Sequence, residues 1–184
     1  MSQINMAVLE GTTRVQRQSI KVAKLIASIG EQLEDVNIKL VDPNDFNFEG
    51  DGNDPEGKDP KYTQLVKWAD AFFIIVPEYN HSFPGSLKRM LDSELGNYNH
   101  KPVAFAGVSS GAFGGVRAIE ALATAVRELG LVVLGYDVQV PRVQEAFNDD
   151  GTAKDPMLIA KIGKVYDELL WFARILKVAR SQDS

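Results

Sequence analysis

Three stretches of this sequence gather groups that could bind or react. Gly11-Thr12-Thr13-Arg14, with Arg17-Gln18-Ser19 just beyond, separates an apolar run from a helically spaced segment. Backbone N–H groups at a helix start favour an anion, and flanking hydroxyls and arginine add charge-assisted bonds, which makes this turn a candidate phosphate site. A capped helix with a solvated basic first turn would use the same residue types. Two cations at a helix start, however, oppose the macrodipole unless something negative sits beside them. Neither the Gly-Lys-Ser/Thr ending of a P-loop nor the three-glycine dinucleotide fingerprint is present.

The second stretch, Pro77-Glu78-Tyr79-Asn80-His81-Ser82, puts a carboxyl, an aromatic ring, an amide, an imidazole and a hydroxyl in one loop. Solvation alone can make a loop tip polar, and Ser82 could simply cap the helix that Pro84 begins. The third, Gly107-Val108-Ser109-Ser110-Gly111, matches the nucleophile-elbow pattern of serine hydrolases. That chemistry needs a histidine after the serine, and both histidines, His81 and His100, precede Ser109. The other readings are a tight structural turn, or a Gly/Ser turn whose small residues let a flat ligand approach the backbone, with Gly114-Gly115 at the next helix entry.

The elements that must carry these loops follow from hydrophobic periodicity. Ile4 to Leu9 reads as a strand, and Val22, Ala23, Ile26, Ile29 and Leu33 mark a helix after it. Val36 to Val41 is a second strand. Asp42 to Pro60 is rich in Gly, Asp and Pro and reads as a surface loop unable to bury a face of its own. Loops this long often serve as lids or partner contacts. Tyr62 to Trp68 gives a short helix, Phe72 to Val76 a strand buried on both faces, and Pro84 to Leu95 an amphipathic helix. Lys101 to Val108 is the fourth strand. Val116, Ile119, Leu122, Ala123, Val126 and Leu129 form a helical stripe, with Gly130 placed as its αL cap. Leu131 to Val140 reads as a fifth strand, and Asp155-Pro156 starts a long last helix.

Strands alternating with helices imply a parallel sheet covered on both faces. With five strands, the expected architecture is an α/β flavodoxin-like three-layer sandwich with strand order 2-1-3-4-5. In such sheets ligands bind at the carboxyl ends of the strands, and the three loops above follow the first, third and fourth strands.

Composition narrows the function classes. The 184 residues carry no linker-like break, so residues 1–184 read as a single domain. A net charge of −5 without a basic cluster argues against a nucleic-acid surface. The absence of cysteine excludes thiolate nucleophiles, disulfides and Cys-based metal sites, and two histidines make a His-rich metal centre a poor expectation. No apolar run approaches membrane-spanning length and the start lacks a signal-peptide pattern, so the expected location is cytoplasmic with no membrane partner.

The run Pro77-Glu78-Tyr79-Asn80-His81-Ser82-Phe83-Pro84-Gly85-Ser86-Leu87-Lys88-Arg89-Met90-Leu91-Asp92 closely resembles the signature loop and helix of the NADPH-dependent FMN reductase family, and Ser109 to Gly115 resembles its glycine-rich turn. Arg89 stands where many members carry Asn. The resemblance implies FMN as cofactor and NAD(P)H as co-substrate. Hydride would pass from NAD(P)H to FMN and then, in a ping-pong reaction, to a small-molecule acceptor such as a quinone, azo compound, flavin or metal oxyanion. By the same resemblance, Thr12, Arg14, Gln18 and Ser19 hold the phosphate. Pro77, Glu78, Tyr79, Asn80, His81 and Ser82 line the isoalloxazine, and Ser109, Ser110, Gly111 and Gly114 its pyrimidine side. No side chain is assigned as a catalytic acid or base. Members are commonly homodimers or homotetramers. An electron carrier or redox-responsive binding protein on the same fold is the competing expectation.

Overall fold

The computed structural model describes residues 3–50 and 52–182. Strand β1 (Ile4–Glu10) runs parallel to β2 (Val36–Val41) on one side and to β3 (Ala71–Pro77) on the other. Strand β3 pairs in turn with β4 (Pro102–Val108), so the order 2-1-3-4 follows the sequence expectation. Helices α1 (Ser19–Gly30), α2 (Pro60–Trp68), α3 (Gly85–Asp92), α4 (Val116–Glu128) and α5 (Pro156–Gln182) cover the sheet.

Both faces of the sheet are buried, and residue parity decides which layer each side chain joins. Met6, Val8, Phe73, Ile75, Ala104 and Ala106 point to a core closed by α1 and α5, where they meet Val22, Ile26, Val165 and Leu169. Their neighbours Ala7, Leu9, Phe72, Ile74, Val103 and Phe105 point the other way, against Leu65, Leu87, Met90 and Leu122 of α2, α3 and α4. Burying a large aliphatic or aromatic side chain stabilises by roughly 1.5–3 kcal/mol, so these two layers supply most of what holds the strand ends in place.

The expected fifth strand, Leu131 to Val140, is two short strands. Strand β5 (Val132–Val133) pairs with the start of β4, and β6 (Val138–Val140) pairs with its end. The interruption contains Gly135 and Asp137, which fit a pleated ladder badly, and a Tyr136 that remains exposed. Helix α3 is also shorter than expected, stopping at Asp92, with Gly96–Tyr98 forming a separate 3₁₀ turn. Gly130 does take up the left-handed conformation, at φ 82°, immediately after α4.

The long loop after β2 buries more than its composition suggests. Phe46 and Phe48 pack edge-on against the ring of Tyr62 at 5.4 and 5.2 Å. Arg89 of α3 then binds the far part of the loop, donating to the carbonyls of Glu49, Gly52 and Gly57. Among the described residues, no helix is long and apolar enough to cross a membrane.

Candidate functional site

The carboxyl ends of β1, β3 and β4 open into one cavity of about 350 Å³, within the size range of small-molecule sites. Thr12, Arg14, Gln18 and Ser19 line it from the first loop, Pro77, Glu78 and Tyr79 from the second, and Ser109 and Ser110 from the third. Asn80, His81, Ser82, Gly111 and Gly114 stand outside that lining. Gln16, Arg17, Val108, Val143 and Gln144 complete it.

The first wall is the approach to α1. Gly11 crosses beneath it so tightly that a Cβ there would lie 2.2 Å from the Ile75 carbonyl oxygen. Gln18 precedes the helix without capping it through its side chain, which leaves first-turn N–H groups available to an external acceptor. Thr12 Oγ1 accepts from the Arg14 backbone N–H at 3.3 Å and lies 2.9 Å from Tyr79 OH. Arg14 is exposed at the rim. Arg17, by contrast, is paired with Asp42. Asp42, just past the end of β2, thus supplies the negative charge that Arg17 requires, and Arg17 does not need an external anion.

Beneath this wall lies Glu10, the last residue of β1, with no exposure to solvent. Its Oε1 accepts from Ser19 Oγ, and its Oε2 has no hydrogen-bond partner. Burial pushes the carboxyl up from the usual 4.5 to about 7; the Ser19 hydrogen bond and the Arg17 charge oppose that rise, and Asp42 adds to it.

The second wall is a tight turn. Tyr79 and Ser82 exchange backbone hydrogen bonds of 2.8 and 2.9 Å, with Asn80 at φ 49° and His81 at φ 66° between them. Two consecutive positive φ values are the mark of a type I′ turn, which leaves the N–H groups of Asn80 and His81 outside the Tyr79–Ser82 exchange. Asn and His are among the residues that tolerate this region best. Arg117, in the first turn of α4, anchors the loop from behind: it is ion-paired with the nearly buried Glu78, and its Nη1 lies 2.8 Å from His81 Nε2.

The third wall is the turn after β4. Ser109 Oγ donates to the Gly111 carbonyl at 2.9 Å, so its proton stays within the turn and no serine–histidine pair forms among the described residues. Gly111 has open space where a side chain would stand, whereas a Cβ on Gly114, at φ 62°, would lie 2.7 Å from Gln139 Cβ. Gly114 therefore serves the packing of the turn on β6. The segment after β6 closes this wall, with Val143 N–H donating to Ser109 O at 3.1 Å and Gln144 Nε2 to Ser110 O at 3.2 Å.

The profile of the NADPH-dependent FMN reductases matches residues 4–145, which spans all three walls. The chain belongs to that family. Among curated relatives, a quinone reductase of Pseudomonas putida is 27% identical over 89% of this chain and 94% of its own length. An NADPH azoreductase of a Bacillus species is 34% identical over 65% of this chain and 66% of its own. A solved structure, the flavoenzyme NAD(P)H:(acceptor) oxidoreductase FerB of Paracoccus denitrificans, superposes with a TM-score of 0.74 at 24% identity, covering 93% of this chain and 97% of that one. As an FMN reductase family member the chain is an oxidoreductase, with FMN as cofactor and NAD(P)H as electron donor.

The cavity suits that cofactor. An FMN reductase must hold a phosphate, a ribityl chain and a flat ring. Here an uncapped helix start with a neighbouring Arg14, a hydroxyl pair at Thr12 and Tyr79, and the Ser109–Ser110 turn border a single space.

Proposed function

We propose that this chain is a single-domain, cytoplasmic NAD(P)H oxidoreductase whose FMN site is the cavity at the ends of β1, β3 and β4, and whose acceptor is a small quinone or azo compound. FMN, when bound, supplies the two-electron chemistry, taking hydride from the nicotinamide and passing reducing equivalents on. What the protein contributes is orientation and electrostatics.

Gln18 and Ser19 offer backbone N–H groups at the α1 start to the phosphate, and Arg14 closes over it from the rim. The linked hydroxyls of Thr12 and Tyr79 face the sugar chain. Pro77, Glu78 and Tyr79 form the floor along one ring edge. The outward N–H groups of the Asn80–His81 turn donate to the other side of that edge, with Ser82 closing the turn. Ser109, Ser110 and Gly111 present backbone dipoles to the pyrimidine end, stabilising negative charge there, and Gly114 holds that turn against β6. No side chain has to gain or lose a proton in the electron transfer. A homodimer or homotetramer fits the exposed Trp171, Ile175 and Val178 of α5.

The observation carrying this reading is that an uncapped helix start, Tyr79 at the head of a type I′ turn, and Ser109 and Ser110 of a Gly/Ser turn border one cavity. Its test is equilibrium binding of FMN, read by quenching of flavin fluorescence. The expected result is binding in the micromolar range or tighter, weakened about tenfold by Arg14→Ala, which removes a charge-assisted phosphate contact. Binding of riboflavin as tight as that of FMN would contradict the placement of the phosphate at α1.

A further inference from the structure

Ser19 is asked to serve two acceptors with one proton. Its hydroxyl donates to Glu10 Oε1, and Ser19 is among the residues lining the cavity, so a ligand group that meets Oγ meets lone pairs. A phosphate monoester dianion carries acceptor oxygens only, and two acceptors facing each other without a proton repel. Behind Ser19, Glu10 is fully buried and its second oxygen has no partner, an arrangement that penalises the ionised carboxylate.

We propose that Glu10 is a positioning residue for the phosphate end of the cavity, acting through Ser19, and that phosphate binding there is coupled to uptake of a proton by Glu10. The proposal rests on the reading of this cavity as an FMN site. The proton comes from solvent and adds to the carboxylate. Neutral Glu10 then donates its O–H to Ser19 Oγ, and the Ser19 hydroxyl turns its own proton to a phosphate oxygen. No covalent bond in the ligand is made or broken, and the negative charge that would oppose the phosphate is removed.

The surroundings allow that proton to be held. The charged groups facing Glu10 are Arg17, on the approach to α1, and Asp42, just past the end of β2, and these are paired with each other. From β3 the paired position is the apolar Ile75. From α1 it is Ser19 itself, and from the turn the Thr12 backbone N–H. Burial already raises the carboxyl to about 7, so little free energy is needed to protonate it at neutral pH.

The test is FMN and riboflavin binding by the wild type, E10Q and S19A between about pH 6 and pH 9, with calorimetry in buffers of low and high ionisation enthalpy. Wild-type FMN affinity should fall with rising pH above neutrality by up to about tenfold per unit, with uptake approaching one proton. Riboflavin should show neither effect. The amide introduced by E10Q keeps a permanent N–H donor toward Ser19, so this variant should bind FMN about tenfold more tightly than wild type at the alkaline end. The titration of the phosphate itself is shared by all three proteins and cancels in their differences. S19A should weaken the coupling, because the hydroxyl relay is gone while the charge of Glu10 remains, and its folding is checked by circular dichroism. Equal proton uptake in wild type and E10Q would overturn the proposal, as would uptake undiminished in S19A or weaker FMN binding by E10Q at every pH. If none of the three proteins bound FMN at any pH, the flavin reading itself would fall and the proposal with it.

Discussion

Thr12 Oγ1 and Tyr79 OH stand 2.9 Å apart, joining the loop after β1 to the loop after β3 across 67 positions of sequence. The first and second walls of the cavity are thereby held as one unit, and neither hydroxyl is free to drift without the other. Thr12→Val and Tyr79→Phe should each raise the FMN dissociation constant about fivefold, the worth of one ordinary hydrogen bond. The double variant should cost little more than either single one, giving a coupling near ~1 kcal/mol in a double-mutant cycle. Strictly additive losses would show that the two hydroxyls act on the ligand independently.

Arg117 has a different partner problem. It stands against Glu78, whose side chain is only 6% exposed, while Arg117 itself is 42% exposed. Removing the arginine strands a nearly buried carboxylate, but solvent at the arginine end screens much of the interaction. Arg117→Met should lower unfolding stability by about 1–2 kcal/mol in urea titrations and weaken FMN binding, and adding Glu78→Gln should recover part of the stability.

Arg89 ties down the long loop from outside the cavity. Arg89→Ala removes donors to three carbonyls, two of these contacts being exposed, so the expected loss is about 1 kcal/mol. Hydrogen exchange should accelerate within residues 46–50 and 52–59 while FMN affinity stays within about twofold. A loss of stability with no local increase in exchange would argue against the clamp.

Glu10 should leave a signature in stability as well as in binding. In the folded protein its carboxyl holds a proton up to about 7, and in the unfolded chain it releases that proton near 4.5. Between those values the native state binds more protons than the unfolded state, so stability falls as pH rises through this window and the slope vanishes above it. Relative to E10Q, the wild type should lose on the order of 3 kcal/mol across the window. Chemical denaturation of both proteins near pH 4.5 and near pH 8 reads this directly, and parallel pH profiles would contradict it.

Much of this site is legible in the sequence because its three walls follow three strands whose apolar runs are unambiguous. Phe72 to Val76 has the unbroken apolar character of a doubly buried strand, and Pro77 marks its end. What is not legible depends on contacts across the fold. Arg17 signals that a negative partner is needed, but nothing local identifies Asp42, which follows the neighbouring strand. Val143 and Gln144 reach the cavity because the last strand splits around Gly135 to Asp137 and brings the segment after β6 under Ser109 and Ser110. Glu10 sits at the end of an apolar run, where it passes for a first loop residue; only the pairing of β1 with β3 shows that it is buried. Arg89 has the pattern of a helix-surface charge, and its role emerges only once the loop folds back over it.

Whether this cavity holds FMN for reduction by a nicotinamide is tested most directly by loading the protein with FMN, adding NADPH or NADH without oxygen, and then adding a quinone while following the oxidised flavin absorbance. The expected result is rapid loss of that absorbance with at least one of the two nicotinamides and its return on addition of the quinone, with no stable one-electron form along the way. Bound FMN that neither nicotinamide reduces, or that rests as a stable radical, would contradict this reading and mark the chain as an electron carrier.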